Sequence, residues 1–506
     1  MSDLKTDRAF CDLDSGKSEL EPVVIVVFGA SGDLAHRKVV PALYDLFAAG
    51  FLHPGSEVLG VARRPLSEEE FRQGLRESCA KRSHSPAADG AWEAFASRIG
   101  YLRGDLDEEL TYVELARRLG APGRAQNRLY YLAIGPDQFA RVAEGLAKAG
   151  LGTAGRDEET PGPYSRLVVE KPFGTDRRSA HELNRVLTSS FAERDIFRID
   201  HYLGKEAVQN LLYFRFANSI FEPLWNRRYV ERIEIDVLET GGIGTRGGYY
   251  DRAGAARDML QNHLVQLLCL AAMEPPPTLD PEAIRDEKVK VLRSVPDYSH
   301  AEFLIRSVRG QYEGGRGADG EVLDDYLAEA KVAPGSRTET FAALRLEVDN
   351  WRFAGVPFLL RTGKALDRTA SEIRVRFRRP PETLFAGVCR ETLPPNGIVI
   401  RIQPEEGIWL EFNAKEPGRA SLASNALRFS FRERSDEHLP EAYERLLSDA
   451  LSGDATLFIR ADEAEEAWRI VDGLETAWTS VGDDGGLVRY PAGVSPDWPA
   501  LLPRKR

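Results

Sequence analysis

The residues Arg198–Glu206, with the sequence RIDHYLGKE, bring together side chains suited to binding an anion. If a helix begins near His201, then His201 and Lys205 lie at positions i and i+4 and share one helix face. An imidazole and an ammonium group on one face suit a phosphate dianion, and the hydroxyl of Tyr202 adds a neutral donor. Asp200 lies just outside that face, where it can serve a different partner. An ordinary solvated helix start capped by Asp200 fits the same residues equally well.

A second polar group stands at the start of an apolar helix. Asp258, Gln261, Asn262 and His263 come before the largely apolar run Leu264–Leu270. A histidine that enters a buried helix needs a hydrogen-bond partner for at least one ring nitrogen. In proteins generally, such a histidine more often belongs to a satisfied core than to a functional site. We favour a functional site here, because the first half of the chain carries residues suited to binding a phosphate, in Arg198–Glu206, and a pattern typical of nucleotide binding.

The pattern near the N-terminus is typical of a strand, a glycine turn and a helix. Val23–Phe28 is a continuous apolar run, as expected for a strand buried on both faces of a parallel sheet. The turn GASGDL follows, and apolar residues at helical spacing begin near Lys38. This order can hold a diphosphate at the helix N-terminus, although Ser31 replaces the second glycine of the G-x-G-x-x-G fingerprint and an ordinary tight turn remains the alternative. The residues predicted to contact a dinucleotide are Gly29, Ser31, Gly32, Asp33 and Leu34.

The end of the second strand indicates which dinucleotide is bound. The predicted strand Glu57–Arg63 is followed by Arg64, and no acidic residue stands at this point. In dinucleotide-binding folds an acid here selects a ribose 2′-hydroxyl, whereas an arginine accommodates a 2′-phosphate. Arg63 and Arg64 therefore favour NADP as the coenzyme, with NAD as a weaker alternative. Exposed basic loop residues are the rival interpretation.

Further elements complete an α/β first half. Predicted strands at Arg128–Ile134 and Arg166–Glu170 flank the amphipathic helix Gln138–Lys148. Lys171 follows the last of these strands, and the C-terminal ends of parallel strands form the edge at which such sheets bind ligands. A functional site is therefore favoured over a mere surface pair of Glu170 and Lys171.

From about residue 231 the pattern changes to alternating strands. Ile233, Ile235 and Val237 alternate with mostly polar neighbours, and short connections such as 404–407 are typical of hairpins. Further predicted strands are Phe303–Tyr312, Phe341–Val348, Pro357–Arg361, Ile373–Arg379, Ile398–Ile402, Ile408–Phe412 and Leu427–Phe431, and the last helices are Leu439–Leu451 and Glu463–Val481. The sequence thus predicts an α/β Rossmann-type dinucleotide-binding domain at 22–199. An α+β substrate-binding and oligomerisation domain with a large, mainly antiparallel sheet follows at 200–506.

Composition narrows the classes of function. Of the 506 residues 42% are hydrophobic, enough for more than one packed core, and a net charge of −12 disfavours non-specific binding to nucleic acid or anionic membranes. No segment approaches the run of about 18 apolar residues that a membrane span needs. Residues 1–21 are polar and are predicted to form a flexible N-terminal arm. The four cysteines are scattered without a CxxC pair, so we expect a reducing cytoplasmic location and no zinc site.

With these motifs in order, the chain resembles the glucose-6-phosphate dehydrogenase family. The glycine turn alone is unspecific, whereas Arg198–Glu206 and the Gln-Asn-His segment are specific. The likeness extends from about residue 22 to beyond residue 480. The matching segments are Gly29–Leu34, Glu170–Gly174, Arg198–Glu206, Gly247–Asp251, Arg257–His263 and Phe358–Lys364.

The resemblance implies oxidation of D-glucose 6-phosphate to 6-phospho-D-glucono-1,5-lactone with NADP, the first step of the oxidative pentose phosphate pathway. His263 matches the general base that removes the C1 hydroxyl proton, and Asp200 matches the carboxylate that orients this histidine. Lys171 matches a lysine that contacts both sugar and coenzyme, and Arg63 falls on the coenzyme side. No metal is implied. Phosphate ligands are implied at His201, Tyr202, Lys205 and Arg368, and ligands of the sugar hydroxyls at Glu239, Asp258 and Lys364.

The resemblance also implies a homodimer or homotetramer, formed through the sheet of the second domain. Some eukaryotic members hold a second, structural NADP. The corresponding regions match poorly in this chain, at Lys415–Pro417 and from Asp497 onward, so we expect no second NADP site here.

Two rival functions stay open. Another NADP-dependent sugar oxidoreductase would share the Glu-Lys-Pro turn, although His201 and Lys205 favour a phosphorylated sugar. A catalytically silent, NADP-sensing scaffold would be expected to lack His263 or Asp200, and both are present.

Overall fold

The computed structural model describes residues 21–85, 89–155, 162–381, 393–419, 421–431, 440–482, 486–496 and 498, so all but the last residue of the predicted N-terminal arm lies outside the described residues. The chain divides into two compact units. The first contains the described residues of 1–168, 190–196 and 443–455, and the second contains those of 169–189, 197–442 and 456–506. The domain limits assigned from the sequence stay a prediction.

The first unit is built on a parallel sheet. Its strands are β1 (Val23–Phe28), β2 (Glu57–Ala62), β3 (Ile99–Arg103), β4 (Asn127–Leu132) and β5 (Ser165–Val169), and its helices are α1 (Val40–Ala48), α2 (Glu68–Arg82), α3 (Asp89–Ala96), α4 (Glu109–Leu119) and α5 (Phe139–Lys148). β1 lies between β2 and β4, in the order β5-β4-β1-β2-β3, and pairs with both in parallel. All residues of β1 are buried, as its apolar sequence predicts. A topological switch point lies between β1 and β4, which is where such sheets bind ligands.

The second unit is built on a sheet of nine described strands. The helices of the second unit are α6 (Arg177–Ser190), α7 (Glu206–Phe216), α8 (Gly247–Ala255), a π-helix (Ala256–Leu264), α9 (Val265–Ala272), α10 (Pro281–Arg293), α11 (His300–Arg306) and α13 (Ala461–Thr479). The helix α12 (Ala442–Ser452) belongs almost entirely to the first unit. The nine strands of the large sheet are β7 (Val230–Leu238), β8 (Ser307–Glu313), β11 (Phe341–Glu347), β12 (Pro357–Gly363), β13 (Ala370–Phe377), β14 (Gly397–Gln403), β15 (Gly407–Lys415), β16 (Leu422–Ser430) and β18 (Leu487–Pro491). Outside it, β6 (Ile196–Ile199) pairs with β17 (Phe458–Ile459), and β9 (Gly315–Arg316) pairs with β10 (Val322–Leu323).

The strand order of the large sheet is β16-β15-β14-β13-β7-β12-β11-β8-β18. Its neighbours are antiparallel except for the pairs β7–β12 and β8–β18, which are parallel. The prediction of a Rossmann-type α/β domain followed by an α+β domain with a large, mainly antiparallel sheet is confirmed. The hairpin predicted at 404–407 joins the antiparallel strands β14 and β15.

One predicted strand is partly wrong. The segment Phe303–Tyr312 begins in helix α11, and only its later part is strand β8. Ser299 forms a capping box with Glu302, in which the serine side chain accepts the Glu302 N–H and the glutamate accepts the Ser299 N–H. This local signal starts a helix that the run of apolar residues concealed.

The apolar run after His263 forms a buried helix. Every residue of α9 is buried, including the free cysteine Cys269. In the part of the chain that is described, no helix has both the length and the apolar content that crossing a membrane requires.

Candidate active site

Asp200 and His263 form a buried pair in the second unit. Asp200 follows β6 directly, and His263 lies near the end of the π-helix. Oδ1 of Asp200 lies 2.5 Å from Nδ1 of His263, and the same oxygen accepts the backbone N–H of Tyr202 at 2.9 Å. Both side chains of the pair are 1% exposed. The fold thus joins two residues that stand 63 positions apart in the sequence.

The π-helix places Asp258 and His263 on one face. Residues five apart stack in a π-helix, because its backbone hydrogen bonds span five residues. Gly254, just before it, has φ 69° and ψ 176°, and a Cβ there would lie 2.3 Å from Oε1 of Glu339. Only glycine combines this conformation with so close an approach, so Gly254 sets the direction in which the π-helix starts.

Lys171 connects Asp258 to His263. Its Nζ donates to the backbone carbonyl of Asp258 at 3.0 Å and lies 3.4 Å from the Oδ1 atom of that residue. The same Nζ lies 3.0 Å from Nε2 of His263. Because an ammonium group has only donors, Nε2 must be the acceptor, and Nδ1 must carry the proton that is donated to Asp200. The contacts therefore determine the tautomer of the histidine.

Burial and neighbouring charges set the protonation states of the pair. Burial alone would raise the pKa of Asp200, but the charge and hydrogen bond of His263, with His201 and Lys171, hold that pKa below its ordinary value. Burial lowers the pKa of His263, and the charge of Lys171 lowers it further against the opposing effect of Asp200. At neutral pH the pair is an ionised carboxylate and a neutral imidazole, whose Nε2 can accept a proton.

A turn, rather than a helix, groups His201, Tyr202 and Lys205. α7 begins only at Glu206, so the prediction of a helix starting near His201 is wrong. The Asp200 side chain bonds the N–H two residues on, and this Asx-turn competes with helix formation. The three side chains still gather: the rings of His201 and Tyr202 are 5.2 Å apart, and Nζ of Lys205 lies 4.6 Å from the Tyr202 ring.

Two residues beside this turn escaped the sequence prediction. Oγ of Ser371 lies 3.2 Å from the hydroxyl of Tyr202, and no motif marks this serine. Glu406 accepts the backbone N–H of Ala207 at 3.1 Å. It lies in the hairpin predicted at 404–407, and this hairpin is the only sequence feature that could have drawn attention to it. Burial lowers the pKa of Lys205 to about 8, although the charge of Glu406 acts in the opposite direction.

Glu239 and Lys364 lie together at the carboxyl ends of two central strands of the large sheet. Glu239 follows β7 and Lys364 follows β12, and the parallel pairing of these strands brings their ends together. Nζ of Lys364 lies 2.5 Å from Oε2 of Glu239. The glutamate is 41% exposed, whereas the lysine is 10% exposed. The pair presents one carboxylate and one ammonium group to a polar ligand.

Two acidic residues contact Arg368, the fourth predicted phosphate ligand. Its guanidinium pairs with Asp236 and Glu372, each at 3.4 Å. Two carboxylates thus hold this cation.

The glycine turn of the first unit fits a diphosphate. Gly29 has φ 75°, and a Cβ there would lie 2.3 Å from the carbonyl oxygen of Ala133, which follows β4. A Cβ on Gly32 would lie 3.0 Å from the Gly29 carbonyl oxygen. A turn this bare of side chains lets a diphosphate approach the backbone at the switch point. The other predicted residues, Ser31, Asp33 and Leu34, are partly or fully exposed beside it.

The end of β2 carries exposed cations. Arg63 and Arg64 are both exposed, and the hydroxyl of Tyr101 donates to the Arg64 carbonyl at 2.7 Å. His36 lies near enough for the charge of Arg64 to contribute, after burial, to lowering the pKa of the imidazole. His36 was not predicted from the sequence. This group suits a ribose 2′-phosphate.

Asp200, His201 and His263 also offer ligand atoms that lie within 4.8 Å of one another, as a metal site would require. The ammonium group of Lys171, 3.0 Å from Nε2 of His263, opposes a cation at this position. The arrangement favours proton transfer over metal binding.

A Rossmann-type sheet and a mainly antiparallel sheet, with a buried carboxylate–histidine pair, define a dinucleotide-binding oxidoreductase. Two family models match the chain: "Glucose-6-phosphate dehydrogenase, NAD binding domain" over residues 26–210 and "Glucose-6-phosphate dehydrogenase, C-terminal domain" over residues 212–498. The chain belongs to the glucose-6-phosphate dehydrogenase family.

Individual relatives agree with the family models. The chain is 44% identical over 467 residues to glucose-6-phosphate 1-dehydrogenase 2 of Mycobacterium tuberculosis, covering 91% of this chain and 89% of the relative. It is 43% identical to glucose-6-phosphate 1-dehydrogenase of Aggregatibacter actinomycetemcomitans, covering 94% of each. A solved glucose-6-phosphate dehydrogenase in complex with glucose 6-phosphate matches with a TM-score of 0.85 and 38% identity, over 96% of this chain and 98% of that one.

Proposed function

We propose that this protein oxidises D-glucose 6-phosphate at C1 to 6-phospho-D-glucono-1,5-lactone, with NADP as the hydride acceptor. The observation that carries the proposal is the hydrogen-bonded chain from Asp200 through His263 to Lys171. These hydrogen bonds orient a neutral imidazole beside the turn from His201 to Lys205, whose side chains suit a phosphate. The family's named relatives support the same substrate.

His263 is the proposed general base. Its Nε2 accepts the proton of the C1 hydroxyl, and Asp200 stabilises the imidazolium that forms. Lys171 donates to Nε2, so the C1 hydroxyl must take the place of this donor. The C1–H bond breaks with its electron pair, the C1–O bond becomes a carbonyl, and the proton stays on the histidine. Bound NADP supplies the acceptor for the hydride.

The remaining polar residues are proposed to bind the substrate. His201, Tyr202 and Lys205 bind the phosphate, while Glu239, Asp258 and Lys364 bind the sugar hydroxyls. Arg368 as a further phosphate ligand would have to leave Asp236 and Glu372. The residues proposed for the coenzyme are Gly29, Ser31, Gly32, Asp33, Leu34, Arg63 and Lys171.

A comparison of sugars tests the proposal. Purified protein is expected to reduce NADP with glucose 6-phosphate, with a kcat/KM for glucose lower by about 10³-fold or more, because hydrogen bonds to charged groups contribute about 1.5–3 kcal/mol each. NADPH fluorescence measures both rates. Equal use of glucose would indicate another sugar oxidoreductase, and NADP binding without turnover of either sugar would indicate a sensing scaffold.

The pH dependence of KM should report Lys205. The amine must be protonated to pair with a phosphate, and its pKa is about 8. KM for glucose 6-phosphate is therefore expected to be low below about pH 8 and to rise by up to about tenfold per pH unit above it. The Lys205→Arg variant keeps its charge and should lose this rise. A wild-type KM that stays constant through this range would contradict the role of Lys205.

The coenzyme preference should depend on Arg63. Arg63→Ala is expected to weaken NADP binding by about tenfold or more and to leave NAD binding nearly unchanged, because the lost contact is to the 2′-phosphate. Calorimetric titration with NADP, NAD and 2′,5′-ADP measures the affinities directly. Equal losses for NADP and NAD would show that Arg63 does not recognise the 2′-phosphate.

We also propose a homodimer or homotetramer located in the cytoplasm. The edge strand β16 supports association, because Leu427 is 62% and Phe429 is 39% exposed in the single chain. Light scattering after size-exclusion chromatography measures the oligomer, and a monomer at micromolar concentration would contradict it.

A further inference from the structure

Tyr249 contacts a carboxylate of the candidate site, although no sequence motif assigned it a role. It lies in helix α8, and its hydroxyl donates to Oδ1 of Asp258 at 3.2 Å. Nζ of Lys171 lies 3.4 Å from the same oxygen. Two donors thus occupy Oδ1, whereas Oδ2 of Asp258 has no hydrogen-bond donor among the described residues.

The hydrogen bond from Tyr249 to Asp258 joins a neutral donor to a charged acceptor, because the phenol stays protonated and the carboxylate stays ionised at neutral pH. Burial would raise the pKa of Asp258, but the charges of Lys171, Arg246 and Lys364 hold it below its ordinary value. Burial and the charge of Asp258 raise the pKa of Tyr249, so the phenol keeps its proton. The guanidinium of Arg246 lies 5.2 Å from the centre of the Tyr249 ring and packs on it.

We propose that Tyr249 is a positioning residue that fixes the rotation of the Asp258 carboxylate. With Oδ1 held by Tyr249 and Lys171, Oδ2 is the oxygen that accepts a substrate hydroxyl. That hydroxyl is one other than the reacting C1 hydroxyl, because C1 belongs to His263. The inference rests on the proposed function and adds a specificity-determining residue to it.

Tyr250 is the matched control within the same helix. Its side chain is buried, with 2% exposed, and its hydroxyl has no hydrogen-bond partner among the described residues. Tyr250→Phe therefore removes a hydroxyl and keeps the ring without breaking a hydrogen bond. Tyr249→Phe removes the same atom and frees Asp258 to rotate.

The test compares both variants with wild type on glucose 6-phosphate and on its 2-, 3- and 4-deoxy analogues. Tyr249→Phe is expected to raise KM for glucose 6-phosphate about tenfold and to change kcat by less than about threefold, as expected for losing one hydrogen bond to a charged group. With the analogue that lacks the hydroxyl bound by Asp258, the variant and wild type should have the same KM. Tyr250→Phe should match wild type on every sugar.

A pH series adds a readout that a purely structural role would not change. Losing a donor to the ionised carboxylate raises the pKa of Asp258, so the acid-side rise in KM of Tyr249→Phe should begin at a higher pH than in wild type. A wild-type-like Tyr249→Phe, or an equal penalty on every analogue with an unshifted pH profile, overturns the inference. Failure of the wild type to oxidise glucose 6-phosphate would instead overturn the proposed function.

Discussion

The His263→Asn variant is expected to lose about 10³-fold or more of its kcat for glucose 6-phosphate, because general-base catalysis typically contributes about 10²–10⁴-fold. Asparagine is smaller than histidine, but its amide N–H can still bond Asp200 from near the position of Nδ1. It offers no basic nitrogen at the position of Nε2, so the C1 hydroxyl proton has no acceptor. The affinity for the sugar phosphate should change by less than about threefold, because the turn from His201 to Lys205 remains in place.

His181→Asn is the matched control for this variant. His181 is also paired with a carboxylate, since its Nδ1 lies 3.2 Å from Oε2 of Glu465, but 67% of its side chain is exposed. It should retain wild-type kcat. Single-turnover rates and calorimetric binding of glucose 6-phosphate separate chemistry from affinity. A His263→Asn enzyme that keeps near-normal turnover would show that another group is the base.

The Asp200→Asn variant is expected to lose about 10²–10⁴-fold in kcat, the typical contribution of general-base catalysis, because the base no longer has its carboxylate partner. The neutral amide no longer stabilises the imidazolium, and its N–H can favour the wrong tautomer of His263. Since the charge of Asp200 raises the pKa of His263, its loss lowers that pKa. The acid limb of kcat/KM should therefore move to lower pH while the maximum falls. A pH–rate profile measures both effects.

Asp45→Asn controls for the general cost of removing a buried charge. Asp45 is 5% exposed and accepts the backbone N–H groups of His84 and Ser85 at 3.2 and 2.8 Å. This variant is expected to lower the melting temperature and to keep the wild-type kcat. The double variant Asp200→Asn/His263→Asn should be no slower than His263→Asn alone, because the two residues act as one unit. Additive losses would contradict that unit.

Some features follow from the sequence because local chemistry encodes them. The apolar run of β1 and the turn at Gly29 need only buried-strand propensity and a residue that accepts a positive φ. The hairpin at 404–407 is local in the same sense. The chemical types in Arg198–Glu206 indicated an anion site, and the family resemblance added the pairing of Asp200 with His263.

Only the tertiary structure decided how those side chains are held. The Asx-turn of Asp200 replaced the predicted helix start, because that carboxylate accepts both the Tyr202 N–H and the His263 imidazole. No sequence motif predicted the π-helix or the hydrogen bond from Tyr249 to Asp258. Arg368 pairs with Asp236, which only the pairing of β13 with β7 brings near. The sequence by itself thus supplies the chemical groups of the site. Which of these groups bond to one another depends on contacts that form only when the whole chain has folded.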